Sequence, residues 1–221
     1  MPGWIDLSVP VVTGMPVYPG DPAVEVSPAL TVPRDGVNVL HLRMGSQSGT
    51  HVDAPYHVDD SWPRLDALPL ERFAGRAVVA DVRGLPARAP IAPGLLLPAL
   101  SQLRPGSLLL LATGWSAHWG TDDYLAHPWL TPEAAEALVE AGVRTVAVDA
   151  LSVDPTPEPG DTTADFGLPA HRVLCGAGGV IAENLTGLER VVDLPDLELF
   201  LFPLRLPGAD GAPVRAVARA L

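Results

Sequence analysis

Two apolar runs set the strongest limit on how this chain can fold: Ala77-Val78-Val79-Ala80-Asp81-Val82 and Leu108-Leu109-Leu110-Leu111-Ala112. Neither alternates polar with apolar residues, so neither suits a sheet with one wet face. Near-continuous runs of this kind belong to strands buried on both faces. Leu95 to Leu103 lies between them and reads as a short helix limited by Pro98, which completes a βαβ crossover. A second alternation follows. Thr131-Pro132-Glu133 supplies an N-cap, a first-turn proline and an acidic residue at the positive helix end. The helix should run through Ala141, stop at Gly142 and hand over to a strand from Arg144 to Ala150. Buried strands interspersed with helices place the chain in the α/β class.

At 221 residues, with 48% hydrophobic and 18% charged residues, the chain fits one domain over 1–221 with a full core. A formal charge of −12 with only 14 Lys plus Arg argues against a nucleic-acid partner, which needs a concentrated basic surface. The lone Cys175 excludes an intrachain disulfide and a multi-cysteine metal cluster, and its apolar neighbours make it a buried structural thiol. The first residues lack the basic start and apolar run of a signal peptide, and no apolar run is long enough to span a bilayer. A cytoplasmic protein without membrane attachment is the expectation.

Chemistry concentrates in Gly45-Ser46-Gln47-Ser48-Gly49-Thr50-His51-Val52-Asp53-Ala54-Pro55-Tyr56-His57. In an extended segment residues two apart point the same way, so His51 and Asp53 aim at one point, and the turn at Pro55 lets His57 return to it. Two imidazoles and a carboxylate then converge. That donor set suits Zn or Mn, and the lack of thiolates speaks against a closed structural zinc site. Val37 to Met44 leads into this stretch and alternates as a half-buried strand should, with Leu40, Leu42 and Met44 on one face and His41 and Arg43 on the other. Upstream, the prolines and glycines of Gly14 to Pro22 force a rigid loop carrying Tyr18. Downstream, Trp62 follows a turn, and Trp115, Trp119 and Trp129 lie at or after the end of the Leu108 run. Pro155 to Asp165 reads as a long loop suited to a lid or an interface arm, with Asp161 and Asp165 solvated. His171 falls on a short helix after Pro169, and Glu183 follows the strand Val180-Ile181-Ala182; spacing alone does not join these two to the rest.

Gly49-Thr50-His51-x-Asp53-x-Pro55-x-His57 resembles the signature of the cyclase family of metal-dependent hydrolases, which includes bacterial kynurenine formamidase and isatin hydrolase. Further matches span nearly the whole chain. They comprise the D-L-S start at Asp6, the P-G-D-P turn at Pro19 after the aromatic Tyr18, Thr113-Gly114-Trp115, and Asp149 with Ser152-Val153-Asp154. Glu183-Asn184-Leu185, twelve residues after His171, and the closing segments from Leu199 and from Ala209 complete the pattern. One departure matters. The family opens its motif with a His where this chain has Gln47, whose carbonyl oxygen is a neutral and weaker donor toward zinc, so a single ion is the expected consequence.

The resemblance implies mixed parallel and antiparallel strands around a barrel-like core with peripheral helices, of the swivelling β/β/α type. It implies one or two Zn or Mn ions per chain held by Gln47, His51, Asp53, His57, His171 and Glu183, with His57 or Glu183 as catalytic proton carrier. Tyr18, Trp62 and Trp115 would border an aromatic substrate, and the protein would be a homodimer or homotetramer. The activity so implied is hydrolysis of the amide bond of a small aryl compound such as an N-formylkynurenine-like formamide. A metal-dependent cyclase or dehydratase of secondary metabolism and a metal-depleted, non-catalytic homologue are the alternatives.

Overall fold

A computed structural model describes residues 3–157 and 167–221. In chain order the strands are β1 (Ile5–Asp6), β2 (Glu25–Leu30), β3 (Val39–Arg43), β4 (His51–Asp53), β5 (Ala74–Asp81), β6 (Pro90–Ile91), β7 (Leu108–Ala112), β8 (Trp129–Leu130), β9 (Thr145–Val148), β10 (Val180–Glu183), β11 (Leu197–Phe200), β12 (Gly211–Pro213) and β13 (Val217–Ala220). The helices are α1 (Val32–Asp35), α2 (Pro93–Leu100), α3 (Pro132–Glu140) and α4 (Pro169–Gly176).

Nine strands form one mixed sheet in the order β1-β13-β11-β5-β7-β9-β10-β4-β12. Its centre, β5-β7-β9-β10, is parallel, as the apolar runs require, and its flanks are antiparallel. The sheet curls so far that the chain just after β1 meets the chain just after β10: Ser8 bridges Leu185, and the Thr186 amide donates to the Leu7 carbonyl. The curl divides the apolar residues between two cores. Along β7, Leu109 and Leu111 face a layer with α2, α3 and α4 (Leu96, Ala134, Leu138, Leu174), while Leu108, Leu110 and Ala112 face the inside of the curl (Leu7, Val52, Leu199, Ala218). All five β7 residues are buried. Each buried leucine removes enough apolar surface to contribute about 1.5–3 kcal/mol.

The helix expected over 95–103 lies at 93–100, because Pro93 is a favoured first-turn residue and starts it earlier. The Thr131 hydroxyl accepts from the Ala134 amide at 3.2 Å, and Gly142 has φ +87°, so the capped helix ends where the glycine allows it. β5 is less enclosed than its sequence suggested, with Val78 and Val79 only partly buried.

The expectation of a half-buried strand over 37–44 needs correction. β3 pairs only with β2, and each of its residues is exposed, Leu40 at 62% and Leu42 at 56%. Alternation marks a strand but does not say what covers its apolar face, and among the described residues this one stays exposed. The hairpin stands out as an arm whose second strand runs straight into Gly45. Residues 158–166, with Asp161, Asp165 and most of the loop expected from Pro155, lie outside the described residues. Among the described residues no helix is long and apolar enough to cross a membrane.

Candidate metal centre

β4 lies between β10 and β12, so its three residues are hydrogen-bonded on both sides. The pleat sends Val52 into the inner core and turns His51 and Asp53 to the opposite face. Register then adds a third group: Glu183 of β10 is the cross-strand partner of His51, on the same face. The fourth comes from the helix layer, where α4 presents His171. Single donor atoms of His51, Asp53 and Glu183 lie within 4.8 Å of one another, and all three residues are buried. His51 Nε2 stands 3.5 Å from Asp53 Oδ1 and 3.7 Å from Glu183 Oε2; His171 Nε2 stands 3.6 Å from Asp53 Oδ2 and 3.5 Å from Glu183 Oε1.

These separations are long for hydrogen bonds, and the two imidazoles face opposite oxygens of the two carboxylates; His51, Asp53 and Glu183 are the residues whose single donor atoms lie close enough together to share one ion. Three further observations fit a cation. Neither Asp53 oxygen has a hydrogen bond although the residue is 1% exposed, and a buried anion is costly without a compensating charge. His51 Nδ1 donates to the Gly49 carbonyl at 2.8 Å, and His171 Nδ1 donates to Asp154 at 2.7 Å, which turns Nε2 of each ring toward the centre. The Val153 amide donates to Glu183 Oε1 at 2.9 Å and fixes that carboxylate. Electrostatics agree. Burial opposes charge on His51, but the facing carboxylates of Asp53 and Glu183 raise it to about 9. Burial likewise opposes charge on Asp53, yet the flanking imidazoles hold it well below the usual carboxylate range, whereas burial and the Asp53 charge push Glu183 up.

Gln47 and His57, expected among the ligands, form a second group at the edge of the first. The Gln47 amide nitrogen lies 2.8 Å from Asp210 Oδ2 and 3.0 Å from His57 Nδ1. Burial works against charge on His57, and the hydrogen bond to Asp210 outweighs it, so its pKa rises; the same bond, with those from Ser46 and Gln47, brings Asp210 down to about 2. Both groups open on a cavity of about 290 Å³, with Tyr18, Pro19 and Asp21 on one wall and Leu151, Ser152 and Leu168 on another. Tyr18 is where the sequence placed it. Burial, with the Glu183 and Asp154 charges, pushes its hydroxyl up to about 12.

The tryptophans expected in the wall are not among the cavity-lining residues. Trp62 packs its ring against Gly176, and buried Trp115 donates its indole N–H to the Asp123 carbonyl at 3.1 Å. Trp119 meets Tyr124 edge to face, and Trp129 donates to the Arg88 carbonyl. The fold uses these large rings to seat loops on the core.

Several residues that hold the site were not singled out from the sequence. Asp154 accepts from the Ala170 and His171 amides, both at 2.9 Å, so it caps α4 while it fixes the His171 ring. Its match to the S-x-D of the resemblance was the available signal. Asn184, at φ +57°, donates to the Gly49 carbonyl and accepts from Tyr124, while its own carbonyl receives the Thr50 hydroxyl. Asp154→Asn should keep the fold, lose about 1 kcal/mol of helix capping and weaken metal affinity about 10–100-fold. Competition with a chromophoric chelator measures this; unchanged affinity would remove Asp154 from the centre.

The Cyclase family model matches residues 5–155. The chain belongs to the Cyclase family. Within that family's reach, kynurenine formamidase of Bordetella petrii is 34% identical over 98% of this chain and 97% of its own length. The kynurenine formamidase of Salinibacter ruber is 36% identical over 97% of this chain and 96% of its own. Among solved structures, isatin hydrolase A from Labrenzia aggregata, bound to benzyl benzoate, superimposes with a TM-score of 0.84 at 22% identity, covering 99% of the cyclase-family chain and 94% of that one. A protein from Bacillus stearothermophilus described as a predicted metal-dependent hydrolase gives 0.75 at 24% identity over all of both chains. These structural likenesses show the curled mixed α/β fold.

Proposed function

We propose that this chain is a metal-dependent hydrolase that cleaves the amide bond of a small aryl compound, with an N-formylkynurenine-like formamide as the leading substrate class. Asp53 carries the reading: a buried carboxylate, both oxygens without hydrogen bonds, facing two imidazole nitrogens whose other ring nitrogens are already fixed. His51, Asp53, His171 and Glu183 would hold one Zn or Mn ion. When bound there, a divalent cation would lower the pKa of a water from about 16 toward 7 and stabilise negative charge on a carbonyl oxygen. The chain's own groups do the rest. Tyr18 and Leu168 flank the substrate ring, and His57 at the cavity edge passes a proton to the departing amine nitrogen. The kynurenine formamidase relatives over the full chain support the formamide; the carboxylate and imidazole donors support the metal.

A homodimer or homotetramer in the cytoplasm belongs to the same reading, with the exposed apolar faces of β2 and β3 as the surface such an assembly would cover. The test combines elemental analysis of the purified protein with a panel of aryl formamides and aryl lactams. About one Zn or Mn per chain together with formamide turnover is expected; metal-replete protein that turns over no member of the panel overturns the hydrolase reading.

A further inference from the structure

The loop that carries Tyr18 brings a second group to the cavity, one that the proposed chemistry does not use. The Asp21 amide donates to the Tyr18 carbonyl at 2.9 Å, and Gly20 between them has φ +103°. Pro19 followed by Gly20 is the sequence of a type II turn, whose third position needs a positive φ. The turn places its first and last residues, Tyr18 and Asp21, on the same cavity. Its surroundings hold it still. Pro22 restricts the Asp21 backbone to extended conformations, and a Cβ on Gly45 would come within 3.4 Å of the Pro22 ring. Met15 and Val24, on either side of the turn, are buried with Val9 in a small core of their own.

The half-buried Asp21 carboxylate makes no hydrogen bond and no ion pair with any described residue. Nor is it one of the three residues whose donor atoms gather closely enough to share an ion. Burial pushes its pKa up; His51 and His57 pull it down, and Asp53 and Asp210 push it further up. No arginine lines the cavity, the chain has no lysine, and residues 158–166 include no basic side chain. The charge is left without a counterpart. On the wall of a cavity of about 290 Å³, such a carboxylate suits a small cation.

We propose that Asp21 is a specificity-determining residue, which selects aryl formamides carrying a protonated amine on a side arm through an ion pair between its carboxylate and the ammonium. The inference rests on the hydrolase reading for the reaction and not for the binding. Tyr18 at one end of the turn takes the ring and Asp21 at the other takes the amine, so one rigid turn fixes the spacing between them. A neutral arm leaves the carboxylate unpaired, and an acidic arm meets a like charge with no basic side chain to offset it.

The test compares full-length wild type with Asp21→Asn, with metal per chain measured on each sample. Titration calorimetry near neutral pH with phenethylammonium and with the neutral 2-phenylethanol reads binding without turnover. Wild type should bind the cation about 10–100-fold more tightly, the range for one hydrogen bond to a charged group, and Asp21→Asn should erase most of that difference. Kinetics on meta-(2-aminoethyl)formanilide and meta-(2-hydroxyethyl)formanilide should show the same preference as a ratio of kcat/KM, and the same collapse of the ratio in the variant. A merely structural role would slow both substrates alike and leave the ratio unmoved. Wild type without the preference, a variant that keeps it, or a variant that loses its metal, which would make Asp21 part of the metal centre, would each overturn the proposal. If no formamide is turned over while the calorimetric preference stands and depends on Asp21, the hydrolase reading fails and this one holds.

Discussion

Asp53→Ala protein comes off a metal-free column with no Zn or Mn that supplementation can restore, and its amide hydrolysis is lost with the metal. Asp53 is the residue both imidazoles face, with His51 Nε2 at 3.5 Å and His171 Nε2 at 3.6 Å. Its removal deletes an anionic donor and leaves two nitrogen lone pairs, one per ring, with only Glu183 between them. The loss in metal affinity should exceed the roughly 10–100-fold typical of a residue that merely supports a ligand. Folding is a separate matter, because breaking a buried ion pair by removing one partner costs about 3–5 kcal/mol. Asp53→Asn, close in shape, separates the two effects: it should stay folded by circular dichroism and still bind no metal. Metal retained in the Asn and Ala variants would place the ion elsewhere in the molecule.

Metal affinity should also rise steeply with pH. In the metal-free protein His51 is raised to about 9, so at pH 8 and below it carries a proton on the nitrogen a cation needs. Binding must displace that proton, and each pH unit below 9 then weakens affinity about tenfold, or about 100-fold between pH 8 and pH 6. His171, raised well above its ordinary value by Asp154, Asp53 and Glu183 against its burial, can only add to the slope. For stability the sign is opposite. A raised His pKa stabilises the folded metal-free chain fully below about 6.5, and that contribution fades as pH climbs through about 9. Metal-free protein should thus lose melting temperature between pH 6.5 and 9, while the loaded form gains affinity over the same range. Calorimetry in two buffers of different ionisation heat counts the protons released; a flat profile would show that the imidazoles are not ligands.

The sequence showed where the chain would be buried and which short stretch carried chemistry, and it was silent about pairing. Leu108 to Ala112 announced a doubly buried parallel strand because no polar residue interrupts it. His51 and Asp53 announced a shared direction because a strand repeats every two residues. Residue spacing alone did not show that Glu183 lies opposite His51, since that depends on the register of two strands far apart in the chain; the resemblance supplied the link. The same limit explains Asp210, an unremarkable acid beside a glycine until β12 sets it against β4. The tryptophans show a different limit: an aromatic after a strand can line a cavity or seat a loop, and only packing decides which. The arm at β2 and β3 was legible as strand and not as surface, because alternation records two faces without naming their neighbours.

The placement of β4 has a consequence for the birth of the protein. Both strands that flank it, β10 and β12, come much later in the chain. On the ribosome the His51-Val52-Asp53 segment emerges early and has no ladder to join until residues 180–183 have been made, and its second edge stays open until residues 211–213 follow. Long-range pairing of this kind carries a loop-closure cost before any contact offsets it. The centre is therefore among the last parts of the molecule to take shape. A chain truncated before Asp210 would retain every proposed metal-binding side chain and yet lack β12, the strand that closes the second edge of β4.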